Sequence, residues 1–156
     1  MIRVLFVCLG NICRSPSAEA VFRDLVMGRK LDKKIGTDSA GTGAWHIGNP
    51  PDERAQLVGR SRGYEMSDLR ARQAVASDFD IFDYVVAMDN SNFSTLDRMR
   101  HRSAKGQLVR MLDFGGTGEI EVPDPYYGEL EDYSRVFDLL EPAAAGLLDH
   151  ICKTDL

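Results

Sequence analysis

Cysteine is scarce in this chain and comes in an odd number: Cys8, Cys13 and Cys152. Three thiols do not make a disulfide framework, and without an export signal they fit a reducing compartment. Long apolar runs are missing as well. The opening IRVLFVCLG is short and punctuated by Gly10 and Asn11, so it reads neither as a signal segment nor as a membrane span. Basic charge is not in excess, since 19 Lys and Arg face 24 Asp and Glu for a net charge of −5. That balance argues against nucleic-acid binding, which needs cations to replace phosphate counterions. The run RMRHR, Arg98 to Arg102, is the local exception and reads as a solvated helix end. Histidine is sparse too: His46, His101 and His150 are scattered and read as structural or surface residues. No His/Cys/carboxylate cluster has metal-ligand spacing, and Cys8 with Cys13 alone cannot make a zinc site. The expectation is a soluble cytoplasmic protein with no metal or cofactor and with no membrane or nucleic-acid partner.

What is present fits one domain over residues 1–156, a length that buries roughly 70% of its unfolded surface without staples. Val4 to Val7 reads as a strand buried on both faces. Ser15 and Pro16 read as the N-cap and first position of a helix, followed by Ala18, Val21, Phe22, Leu25 and Val26 at helical spacing. Further strands are expected at Lys34–Asp38, Tyr84–Met88 and Gln107–Leu112. Helices are expected from Pro51 to about Gly63, from a cap at Asn90 or Ser91 through Met99, and late in the chain. Ser77 is a candidate cap for a short turn. In the last helix Phe137, Leu140, Ala144, Leu147, Leu148 and Ile151 share a face, and Pro142 should kink it or mark a late start. Strands alternating with helices imply an α/β fold, a parallel sheet with helices on both faces.

Ligands bind such sheets at the carboxyl ends of the strands, beside helix N-termini. Cys8 stands there, opening CLGNICRS (Cys8–Ser15). If the loop curls, its backbone N–H groups converge into an anion nest at the positive end of a helix. Gly10 and Asn11 tolerate the left-handed backbone such a curl needs. Arg14 adds a planar fork suited to two oxygens of a phosphoryl group. A helix N-terminus and an arginine both favour thiolate over thiol, and Ser15 can donate to that thiolate or cap the helix. The reading is a nucleophile on the floor of a phosphate cradle. The second motif is EVPDPYYG, where Asp124 lies between Pro123 and Pro125 and precedes Tyr126 and Tyr127. It reads as a general acid beside aromatic walls.

Together CLGNICRS and DPYY resemble the low-molecular-weight protein tyrosine phosphatase family. DSAGTGAW (Asp38–Trp45), GNPPDERA (Gly48–Ala55), ARQ (Ala71–Gln73) and FDYVVAMDNSN (Phe82–Asn92) extend the resemblance over essentially the whole chain. It implies a four-stranded parallel twisted sheet with the nucleophile loop between the first strand and first helix, and metal-independent hydrolysis of phosphotyrosine in proteins. By the same resemblance Cys8 is the nucleophile, Arg14 binds phosphate, and Asp124 is the acid that later acts as base. Leu9, Trp45, Tyr126 and Tyr127 line the slot for the phenyl ring. Gly10, Asn11, Ile12, Cys13 and Ser15 complete the substrate-binding loop, with Ser39 tethering Asn11. Leu69, in DLRARQ, stands where many members carry a histidine that supports that asparagine, which implies a loop held by fewer hydrogen bonds. A curled loop would also bring Cys13 near Cys8, close enough to capture an oxidised nucleophile as a disulfide.

Other readings of the loop are weaker. An arsenate reductase needs further cysteines to pass a disulfide along, and only Cys152 remains. A phosphocysteine carrier gives no reason for the Asp-Pro-Tyr-Tyr loop. A non-catalytic phosphotyrosine-binding module would tolerate loss of Cys8 or Asp124, and both are present.

Overall fold

The computed structural model describes residues 1–156. Four parallel strands, β1 (Ile2–Cys8), β2 (Ile35–Gly41), β3 (Tyr84–Ala87) and β4 (Gln107–Arg110), form a sheet in the order β2-β1-β3-β4. The helices are α1 (Arg14–Gly28), α2 (Glu53–Ser61), α3 (Asp78–Ile81), α4 (Asn90–Met99) and α5 (Leu130–Asp155).

The continuous apolar run of β1 is explained by its place at the centre. Successive strand side chains point to opposite faces, so β1 feeds two separate cores. Val4, Phe6 and Cys8 join the larger one with α1 and α5, where Phe6 meets Phe22 edge to face at 5.4 Å. Leu5 and Val7 join the smaller one, with Phe79, Val85 and Leu96 on the α3 and α4 side. Helices therefore cover both faces, and the loops at the strand C-termini gather along one edge.

Several boundaries differ from the sequence reading. β2 runs on to Gly41 and β4 stops at Arg110, where Met111–Phe114 tighten into a 3-10 turn. The cap of α4 is Asp89, which accepts from Asn92 N–H at 2.7 Å, rather than Asn90 or Ser91. Asp52 caps α2 in the same way through Arg54 N–H. Ser77 precedes α3, but its side chain makes no capping bond. Pro142 does not delay α5, which begins at Leu130 and runs through it. That proline lies on the exposed side of the helix while Leu139, Leu140, Ala143 and Ala144 are buried. Burial of the opposite face offsets the lost backbone bond.

Candidate active site

β1 delivers Cys8 to the C-terminal edge of the sheet, and α1 begins six residues later at Arg14. The connecting loop turns because Asn11 adopts a left-handed backbone, φ 57°. Gly10 does not share that conformation; it is small for a different reason, since a Cβ there would lie 3.1 Å from the His46 ring. On the other side Gly41, ending β2, approaches so closely that a Cβ would sit 2.8 Å from Leu9 O.

Around the sulfur, Asn11 N–H points at Cys8 Sγ from 3.3 Å and Ser15 Oγ lies at 3.0 Å. The backbone N–H groups of Gly10, Ile12 and Cys13 bond to nothing in the protein, as an anion nest requires. Ser15 does not cap the helix. Cys13 occupies the cap position with no side-chain bond, which puts Ser15 and Pro16 inside the first turn. Proline is harmless there because first-turn N–H groups have no helical partner. The Ser15 hydroxyl accepts from Asn11 Nδ2 at 2.8 Å and has Ala40 O within 3.3 Å. It owns one proton, and a thiolate at Cys8 would draw that proton towards sulfur.

The tether of Asn11 differs from the expectation. Its Oδ1 accepts from the backbone N–H of Arg72 at 3.1 Å, and its amide donates to Ser15. Ser39 instead donates to Glu19 Oε1 at 2.8 Å, and Thr37 reaches Glu19 Oε2 at 3.3 Å. Leu69 packs as a half-buried apolar residue against the larger core. Burial holds the Glu19 carboxyl above the usual carboxylate range, against the hydroxyl bonds that pull it down. A carboxyl whose folded pKa exceeds its unfolded value of about 4.3 destabilises the fold as pH rises above that value, because the unfolded chain releases its proton first. Glu19→Gln keeps a carbonyl for the hydroxyls and has no proton to lose. Urea midpoints measured from about pH 4 to about pH 8 should therefore decline less in the variant than in the wild type. Parallel profiles would refute this account of Glu19.

Arg14 is 3% exposed and sits under the loop. Its Nη1 donates to Asp89 Oδ2 at 2.6 Å and to Val122 O at 3.0 Å, and Nη2 lies 3.7 Å from Asp124 Oδ2. Burial works against its charge, but Cys8, Asp89 and Asp124 more than compensate and raise its pKa. Asp89 thus uses one oxygen to cap α4 and the other to aim Arg14. Sequence reasoning missed this residue. A signal existed, because Asp89 follows a strand and opens a helix, the position that singled out Cys8.

Asp124 is brought opposite Cys8 on the loop between the 3-10 turn and α5, and its Oδ1 accepts from Tyr126 N–H at 3.1 Å. A cavity of about 340 Å³ opens between the two loops. Of the residues expected at the site, Leu9, Gly10, Ile12, Cys13, Trp45 and the Tyr126–Tyr127 pair line it together with Cys8, Arg14 and Asp124. Asn11 and Ser15 stand behind the wall, fully buried. His46, expected to be structural or surface, also lines the cavity, its ring 6.1 Å from that of Tyr126. His101 faces Asp80 and Ser103 on the surface, and His150 lies against Tyr84 and Phe114. All three cysteines are free. Burial pushes the Cys13 thiol up to about 12, and its sulfur lies 3.6 Å from Tyr133 Oη.

This arrangement offers a sulfur nucleophile, a buried cation for phosphate oxygens, a carboxyl on the opposite wall and flat apolar sides. Comparison with known proteins agrees with it. A family model described as low molecular weight phosphotyrosine protein phosphatase matches residues 3–155. The chain is 46% identical over 154 residues to the Bacillus subtilis low molecular weight protein-tyrosine-phosphatase YfkJ, covering 98% of this chain and 97% of that one. It is 43% identical over 136 residues to the human low molecular weight phosphotyrosine protein phosphatase, covering 86% and 85%. The crystal structure of a protein tyrosine phosphatase from Entamoeba histolytica superposes with a TM-score of 0.95 at 43% identity, covering all of both chains. By fold, site geometry and sequence, the chain belongs to the low molecular weight phosphotyrosine protein phosphatase family.

Proposed function

We propose that this chain hydrolyses phosphotyrosine in proteins, and small aryl phosphates, through a cysteinyl-phosphate and without a metal or cofactor. The observation that carries the reading is the convergence of Cys8, Arg14 and Asp124 on one aromatic-walled cavity. In the first step the Cys8 thiolate attacks phosphorus, the P–O bond to the aryl group breaks, and protonated Asp124 gives its proton to the departing phenolate oxygen. In the second, Asp124 carboxylate takes a proton from water as that oxygen attacks phosphorus. The S–P bond then breaks and returns the thiolate with inorganic phosphate. Arg14 and the loop amides hold the equatorial oxygens through both steps. Residues 1–156 act here as one domain, and a free thiolate nucleophile suits the reducing cytoplasm.

Phosphotyrosine peptides and p-nitrophenyl phosphate should be turned over in excess chelator, with a phosphocysteine at Cys8 trapped by rapid acid quench. Phosphoserine peptides should show far lower kcat/KM. Leu9, Trp45 and Tyr127 are more than 40% exposed and form a rim that only a long ester spans while its phosphate rests on the floor. Similar kcat/KM for the two peptide classes, or phosphate release without the phosphocysteine, would overturn the proposal.

A further inference from the structure

The loop that carries Asp124 is short of anchors. Its own bonds, Tyr126 N–H to Asp124 and Gly128 N–H to Pro125 O, stay inside it. Just before the loop, Val122 is tied down: its N–H donates to Met88 O at 2.9 Å and its carbonyl accepts from Arg14. From Pro123 to Gly128, every hydrogen bond to the rest of the protein comes from one side chain. Arg54 Nη2 donates to Tyr126 O at 2.9 Å and Nη1 to Gly128 O at 3.3 Å.

Arg54 is itself held. Its Nε and Nη2 donate to the two oxygens of Asp52 at 3.0 and 2.9 Å, and its face lies 4.8 Å from the centre of the Tyr133 ring. Asp52 in turn donates its backbone N–H to Ile12 O at 2.8 Å, within the loop that follows Cys8. An unbroken chain of bonds therefore runs from the nucleophile loop through Asp52 and Arg54 to the acid loop. We propose that this Asp52–Arg54 brace sets the separation of the two loops, making Arg54 a positioning residue for proton transfer by Asp124. The inference rests on the reading of Asp124 as the general acid.

The brace needs an arginine. Meeting a carboxylate side-on while holding carbonyls two residues apart takes donors fixed in one plane, and a lysine ammonium is a point charge without that fork. A displacement of about 1 Å in a reacting group can cost on the order of 10²-fold in rate. The loss should appear only where the proton matters, with poor leaving groups.

The test compares wild type, Arg54→Met, Arg54→Lys, Asp124→Ala and Arg54→Met/Asp124→Ala on phenyl and p-nitrophenyl phosphate. With phenyl phosphate, kcat should fall about 10- to 100-fold in Arg54→Met, and with p-nitrophenyl phosphate far less. Competitive inhibition by inorganic phosphate should stay within about twofold, since Arg54 touches no cradle residue side chain. Arg54→Lys keeps charge and bulk and should show the same ester dependence, which separates aim from folding. The double variant should be no slower than Asp124→Ala alone, because Arg54 acts through Asp124. Equal losses on the two esters, or additive losses in the double variant, would overturn the brace while leaving the mechanism standing. If Asp124→Ala itself shows equal losses, the acid assignment falls and the inference falls with it.

Discussion

Cys8→Ser should bring turnover to background while phosphate esters still bind. Cys8 is 2% exposed, and its sulfur is held between Ser15 Oγ at 3.0 Å and Asn11 N–H at 3.3 Å. Those contacts suit an anionic sulfur. A serine oxygen keeps its proton, and neither group bonded to the Cys8 sulfur is a base: Ser15 is itself a hydroxyl, and Asn11 presents an N–H. The cradle is meanwhile untouched, because it is built from backbone amides and Arg14. Steady-state assays should show no turnover above buffer, and calorimetric titration with inorganic phosphate should give an affinity close to that of the wild type. Appreciable hydrolysis by this variant would remove the covalent intermediate from the mechanism.

Arg14→Lys should lower kcat by about 10²–10³-fold, the range seen when one preorganised donor is lost from a site that stabilises developing charge. Charge alone is not the issue, because lysine would keep it. Arg14 spends one nitrogen on Asp89 and Val122 O, leaving Nη2 free on the cavity side near Asp124. A lysine has a single nitrogen and must choose between Asp89 and substrate. If it pairs with Asp89, the phosphoryl oxygens lose their partner; if it turns to substrate, a mostly buried carboxylate loses its own. Either way the transition state suffers more than the ground state, so kcat should fall more than KM rises. A variant within about tenfold of wild-type kcat would show that the loop amides suffice.

The site was legible where its chemistry is contiguous. Cys8 to Ser15 lie in one stretch, and strand, loop and helix follow from local pattern, so Cys8 and Arg14 could be singled out from residues alone as the candidate nucleophile and phosphate ligand. Asp124 required a second motif and the resemblance that joins the two. What stayed hidden depends on approach in three dimensions. Nothing in DSAGTG says that Ser39 turns to Glu19 rather than Asn11. Nothing in ICRSPS says that Ser15 faces inward to sulfur instead of capping α1, which depends on where the helix begins. His46 looked idle because its neighbour, Tyr126, is far away in sequence. The cap of α4 slipped by one or two residues, to Asp89, because several polar residues in a row can each cap and tertiary partners decide among them.

The central place of β1 has a consequence for how the molecule comes into being. During synthesis Cys8 leaves the ribosome well before β3, which flanks β1 opposite β2 and lies at 84–87, and before Asp124. Parallel pairing with strands so far along the chain waits until they exist and proceeds slowly once they do. The nascent chain therefore carries Cys8 on an apolar strand that still lacks its β3 neighbour. The cavity is assembled only when Arg14 meets Asp89 and Asp124 comes up beside it, so the site arrives as a late event in folding rather than as a property of the motif.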